Sequence, residues 1–184
     1  IRAVEAYQPS GLPVDDAALV IVEVDGHPAA VEEEIADCGR ICAERGATMV
    51  RVARTDSERE DIWKARKLVS PAITRMGPTK ISEDATVPRS RIPEMLERLE
   101  QIRDKYKLNL VVFGHAGDGN LHPNIITDKR NIEEMRRVED AVGEIFEAAV
   151  SLGGTLSGEH GIGTLKAPYM EMELGKAGLD MMVR

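Results

Sequence analysis

The chain has 184 residues, enough for one domain or one domain with a small appendage, and with aromatic residues at 3% its core must be built from Val, Ile, Leu, Met and Ala. A formal net charge of −8 argues against a nucleic-acid binder, which needs clustered Lys and Arg for phosphate contacts. No apolar run approaches the ~20 residues of a membrane-spanning helix.

In chain order, residues 1–17 are polar, with Pro9, Gly11 and Pro13, and read as a linker or edge segment ahead of one domain over 18–184. The chain opens at Ile1 without a signal-peptide pattern, so the expectation is a piece of a longer polypeptide. Ala18–Val24 reads as a buried strand by length and β-branching, ended by Gly26-His27-Pro28. Val31, Ile35, Cys38, Ile41 and Cys42 then recur at helical spacing, with Glu32, Glu33 and Glu34 near the positive end of the helix dipole and Gly46 as a C-cap. The two cysteines sit four apart on this helix, so they read as reduced residues of its inner face rather than a disulfide framework, which fits a cytoplasmic setting. Met49–Ala53 reads as a second strand.

Thr55 or Ser57 can cap the next helix, with Glu58 and Glu60 downstream. Its inner face is Ile62, Ala65, Val69, Ile73 and Met76; Pro71 should kink or break it, and Gly77-Pro78 stops it. Lys80–Pro88 looks like a third strand, charged enough that one of its faces should meet solvent or a site. After Ser90, Ile92, Met95, Leu96, Leu99, Ile102 and Tyr106 mark an amphipathic helix, with Pro93 tolerated in its first turn.

The most informative stretch follows. Two strand-like runs, 109–116 and 121–126, flank Asp118-Gly119, a strong signal for a hairpin with a type I′ turn. In that register His115 faces His122, with Cβ atoms about 4.5–5.5 Å apart on one face. Asn124, two residues on, shares the face. Spacing alone leaves open whether the two imidazoles are ordinary structural residues or share a metal ion, and two imidazoles need at least one further ligand. Asp128 or Asn131 caps a last long helix, with Ile132, Met135, Val138, Val142, Ile145, Phe146 and Ala149 inward. The order β-α-β-α-β-α-β-β-α implies an α+β fold, ferredoxin-like and either expanded or duplicated, with helices on one face of a largely antiparallel sheet.

After residue 150 the texture changes. Ser151–Gly163 holds five glycines in thirteen residues, around Glu159-His160. Glycines at this density mark a flexible surface loop or a backbone that approaches a ligand closely. An acid and a base in its middle favour the second, supplying both the missing ligand and a general base. The segment is neither a Rossmann fingerprint nor a P-loop.

Gly114–His122 followed by Ser157–Gly163 resembles the C-terminal cap domain of FAD-linked oxidases, in the D-2-hydroxy-acid dehydrogenase branch of the vanillyl-alcohol-oxidase type flavoproteins. Asp61–Arg66 is similar to the family's Trp-x-x-Arg helix, and Glu83–Ser90 to its acidic strand and turn. The likeness covers about residues 18–170; the Asn-Pro-Gly-Lys stretch usual in the family's tail is missing.

The resemblance implies a ferredoxin-like cap over the substrate side of a flavin, in an enzyme oxidising a small D-2-hydroxy acid, such as glycolate or D-lactate, to the 2-oxo acid. It implies FAD, bound mainly by a flavin domain of the same polypeptide that this chain does not contain. His115, His122 and Glu159 resemble ligands of a divalent metal, zinc or manganese. His160 resembles the base that takes the hydroxyl proton. Arg66 and Lys80 resemble the cationic groups that hold the substrate carboxylate, and Asn124 a polar substrate contact. Asn120, Glu159 and Gly161 fall on the cofactor side, Asn120 either facing the flavin or positioning the hairpin.

Further oxidase subunits, an iron–sulfur subunit among them, are implied partners, through which a cytoplasmic protein would associate with a membrane periphery. By itself the chain is expected to bind FAD poorly and to turn nothing over, and apolar surface left bare would favour self-association, an open alternative. Two other readings stay open: a stand-alone metal hydrolase with an open fourth coordination position, and a non-catalytic ferredoxin-like ligand-binding module.

Overall fold

A computed structural model describes residues 1–182. The chain divides into two compact units, Ile1–Ile73 and Thr74–Arg184. Among the described residues no helix is long and apolar enough to cross a membrane.

The first unit is helical: α1 (Arg2–Tyr7), α2 (Pro28–Glu44), α3 (Asp56–Lys67) and α4 (Val69–Thr74), whose last residue lies past the division. Residues 2–7, inside the segment read as a linker, form α1 and bury Val4. Helix α2 covers the predicted span, with Gly46 at φ +86° just beyond it. Helix α3 starts with the capping box that the sequence announces. The Glu58 N–H donates to Thr55 Oγ1 at 3.2 Å, and the Thr55 N–H donates back to Glu58 Oε2 at 3.1 Å. The helix breaks at Leu68, and Pro71 falls in the first turn of α4, where a missing N–H costs nothing.

Two expected elements do not form. Neither Ala18–Val24 nor Met49–Ala53 is a strand, and Val20 and Met49 stay 68% and 59% exposed. Strand propensity reports a side chain's fit on a half-buried pleated surface; these runs join no ladder and no layer covers them, so β-branching alone does not make them strands.

The second unit carries β1 (Thr79–Ser82), β2 (Ala85–Thr86), α5 (Ile92–Tyr106), β3 (Asn109–His115), β4 (Asn120–Thr127), α6 (Ile132–Ser151), α7 (Gly163–Lys166) and α8 (Met170–Met182). Strand β4 is central and antiparallel to all its neighbours, with β3 on one side and β1 and β2 on the other. The fold is α+β, as expected. Met95, Leu99 and Ile102 of α5 and Val138, Ala141, Ile145 and Ala149 of α6 form one aliphatic core with Ala85, Leu121 and Ile125 of the sheet. Leu96 and Ile132, expected on inner faces, are exposed at the margins of their helices.

Two local departures shape the site. Lys80–Pro88 is not one strand, because its partner carries Pro123. The register Ser82–Asn124 and Ala85–Leu121 is continuous, so Glu83 lies opposite Pro123 and Asp84 opposite His122. Glu83 donates its N–H to the Pro123 carbonyl at 3.1 Å, but proline has no N–H to return, and the strand lapses between β1 and β2.

The hairpin also differs. His115 pairs with Asn120 and Phe113 with His122, around a four-residue loop, Ala116–Gly119. The Gly119 N–H closes the loop onto the His115 carbonyl at 3.0 Å, and the Asn120 N–H donates to Asp118 Oδ1 at 2.9 Å. Gly119, at φ +83°, seats so closely that a Cβ would lie 1.9 Å from the Val87 carbonyl oxygen. This docking against the β2 side sets the longer loop. The shift from the expected register is two residues, and a two-residue shift preserves sidedness. His115, His122 and Asn124 therefore still share a face, with Phe113 and Lys80; Leu110, Val112, Leu121 and Ile125 turn to the helices.

Candidate metal centre and base

His115 ends β3 and His122 is the third residue of β4, diagonal neighbours with ring centroids 5.2 Å apart and edge to face. Glu159 reaches them from the glycine-rich loop: its carboxylate oxygens lie 3.3 Å from His122 Nε2 and 4.0 Å from His115 Nε2. One donor atom from each of the three residues falls within 4.8 Å of the others. His160 stacks on His122 at 5.3 Å with planes 15° apart, its Nδ1 3.7 Å from Asp84 Oδ1, beyond a hydrogen bond but within an ion-pair distance. Thus the two strand histidines, and the acid and imidazole of the loop, meet in one place.

Electrostatics suit a cation ligand set. His122 is 3% exposed, and burial pushes its imidazole below the ordinary histidine value, against the pull of Glu159. A neutral ring keeps a lone pair to give. Two imidazoles and a carboxylate are the donor types that zinc and manganese accept. The residues present therefore fit a divalent metal.

The loop is held from beneath by Asp84, which is fully buried. Its Oδ2 accepts three successive backbone N–H groups, from Gly158 at 2.8 Å, Glu159 at 2.6 Å and His160 at 2.9 Å. Its Oδ1 meets the Lys166 ammonium, itself 3% exposed, which also donates to the Leu156 carbonyl at 2.8 Å and the Asp84 carbonyl at 3.2 Å. Burial alone would raise the Asp84 carboxyl; the Lys166 ammonium and the loop N–H groups outweigh it and hold the group well below the usual carboxylate range. Glu83 goes the other way, raised by burial despite Lys166 at 3.9 Å.

Gly158 is required by contact: a Cβ there would sit 2.3 Å from Thr86 Oγ1 and 2.5 Å from Asn120 Cγ. Gly161, at φ +77°, turns the chain back so that its N–H donates to Ser157 Oγ at 2.8 Å.

The remaining predicted residues divide. Asn120 is 3% exposed, accepts a hydrogen bond from Thr86 Oγ1 at 3.1 Å and packs under Gly158, bracing hairpin and loop together. Asn124 is fully buried on the histidine face, donating to the His122 carbonyl at 2.7 Å, while its Oδ1 has no partner among the described residues. Lys80 lies on that face too, opposite Ile126. Arg66 lies half-buried on α3, in the first unit, whereas every other candidate is in the second. An open cleft of about 390 Å³ lies against the loop, lined by Ser157, Glu159, Ile162, Met170 and Glu173 among others. It touches Glu159 but none of the histidines, so it is not where His115, His122 and His160 converge with Glu159.

Sequence reasoning missed Lys166, which follows the glycine run with no pattern to single it out, and the part played by Asp84. The one available signal was the charge on an otherwise strand-like run at 80–88.

Known proteins are similar to this chain. The chain matches the family described as FAD linked oxidases, C-terminal domain, over residues 1–184. It is 47% identical to the glycolate oxidase subunit GlcD of Bacillus subtilis over 182 residues, covering 99% of this chain and 39% of that protein. To the glycolate oxidase subunit GlcD of Escherichia coli K12 it is 39% identical, over 92% of this chain and 34% of the relative. To the mitochondrial cytochrome-type D-lactate dehydrogenase of Arabidopsis thaliana it is 31% identical, over 100% of this chain and 32% of the relative. The chain thus spans between 32% and 39% of the length of these relatives.

Proposed function

Because this chain belongs to the FAD-linked oxidases, as their C-terminal domain, we propose that it forms the substrate side of a flavoenzyme that oxidises a small D-2-hydroxy acid, glycolate or D-lactate, to the 2-oxo acid. The observation that carries this reading is the convergence of His115, His122 and Glu159 with His160 stacked alongside. When bound, a zinc or manganese ion would supply Lewis acidity and the FAD a hydride acceptor, which no side chain can replace.

The chain's own residues do the rest. His115, His122 and Glu159 hold the cation. His160 takes the hydroxyl proton; with Nδ1 turned to Asp84, Nε2 is the nitrogen left to receive it. Lys80 binds the substrate carboxylate from the face that carries the histidines; Arg66, on α3 of the first unit, carries the planar fork that suits a carboxylate's two oxygens. Asn124 presents an amide on the same sheet face as the histidines. Glu159 and Gly161, exposed on the loop, are the groups open to the cofactor side, with Asn120 bracing them from below. The net charge of −8 does not oppose an anionic substrate, because surface carboxylates beyond about 8–10 Å are screened. Two of the similar proteins are named as subunits of glycolate oxidase, which supports further oxidase subunits as partners, and the FAD-linked family supports a flavin domain beside this one.

The test is flavin reduction in the full-length protein under anaerobic conditions. Glycolate or D-lactate should bleach the flavin absorbance of the wild type. A protein that holds metal but no flavin would be the hydrolase; one that holds neither would be a binding module.

A further inference from the structure

Lys166 is a cost that the reaction above does not explain. An ammonium taken from water into a protein interior is expensive unless it is paired and fully hydrogen-bonded. Here it is paired: Asp84 Oδ1, the Asp84 carbonyl and the Leu156 carbonyl surround it. Buried ion pairs of this kind are rarely more stabilising than apolar side chains of the same volume. Stability alone therefore does not account for it.

What the pair does that apolar residues could not is fix a carboxylate oxygen under three consecutive N–H groups. Those three belong to Gly158, Glu159 and His160. The Glu159 and His160 side chains are 53% and 36% exposed, so packing does little to hold them. Their positions follow from the backbone, and the backbone is tied at Asp84.

We propose that Asp84, anchored by Lys166, is the positioning residue that sets Glu159 and His160 against the two strand histidines and thereby makes the cation site before any cation binds. The proposal rests on the reading of that site as a metal centre. Partners that orient metal ligands typically contribute about 10–100-fold to metal affinity.

The test uses the full-length protein and two variants, Asp84→Asn and the double variant Asp84→Asn with Lys166→Met. The double variant removes both buried charges and so keeps the question open should the single variant fail to fold. Two quantities are read: amide hydrogen exchange in cation-free protein, and affinity for zinc and manganese by competition with a chelator. Expected in whichever variant folds is faster exchange of residues 158–160 with 120–127 of β4 still protected, and affinity lowered about 10–100-fold. Unchanged exchange at 158–160, loss of protection throughout β4 as well, or wild-type affinity in the folded double variant would overturn the proposal alone. A wild type that takes up neither cation would overturn the metal reading, and this proposal with it.

Discussion

At the scale of single residues, the proposed reaction turns on His160. Its ring stacks on His122 while its backbone N–H is held by Asp84 at 2.9 Å, so the imidazole is placed without itself being one of the three candidate ligands. Replacing a positioned general base typically costs about 10²–10⁴-fold in rate. His160→Asn should therefore lower kcat for glycolate or D-lactate by roughly that factor while the metal content stays at the wild-type level. Steady-state dye reduction with elemental analysis on the same samples checks both halves. A variant with full kcat would remove His160 from the chemistry; one that loses the cation would make it a ligand.

The residues that carry the proposal were readable because imidazole and carboxylate groups are rare in glycine-rich or strand-like runs and stand out there. Asp84 and Lys166 were not, because their meaning lies in a contact 82 residues apart in sequence. No local pattern encodes such a contact.

At the scale of elements, the hairpin shows which part of a sequence signal survives folding. Asp118-Gly119 marks the turn correctly, and alternation keeps His115 and His122 on one face. The loop length is decided elsewhere, where Gly119 closes on Val87. Gly119→Ala meets a positive φ, which costs about 1–2 kcal/mol for a residue with a Cβ, and a collision with the Val87 carbonyl besides. The expected outcome is a lower urea midpoint by at least that much stability; an unchanged midpoint would contradict the four-residue loop. Pro123 likewise acts across strands. It cannot donate to Glu83, so it ends β1 and frees Asp84 from the ladder to serve the loop. The sequence shows the proline and the charged run, but only pairing shows that the two lie opposite each other.

At the scale of the whole molecule, the long helices α2, α3, α5 and α6 were legible, because a 3.6-residue period, caps and glycine stops are local properties, whereas α1, α7 and α8 were not read from the sequence. The capping box of α3 and the aliphatic faces of α5 and α6 are examples. The strands were legible only where neighbours exist to complete them: β3 and β4 were, whereas Ala18–Val24 and Met49–Ala53 carry the same β-branched signal and form none. The chain's place among the FAD-linked oxidases rests on both histidine motifs together and on the match across its whole length. The proposed function depends on a cation site that the two strands and the loop build from His115, His122 and Glu159. Elemental analysis of the purified full-length protein, wild type beside His122→Ala, tests that site. About one equivalent of zinc or manganese is expected in the wild type, as a single three-ligand centre would hold, and none in the variant. A metal-free wild type, or a variant that keeps its metal, would contradict it.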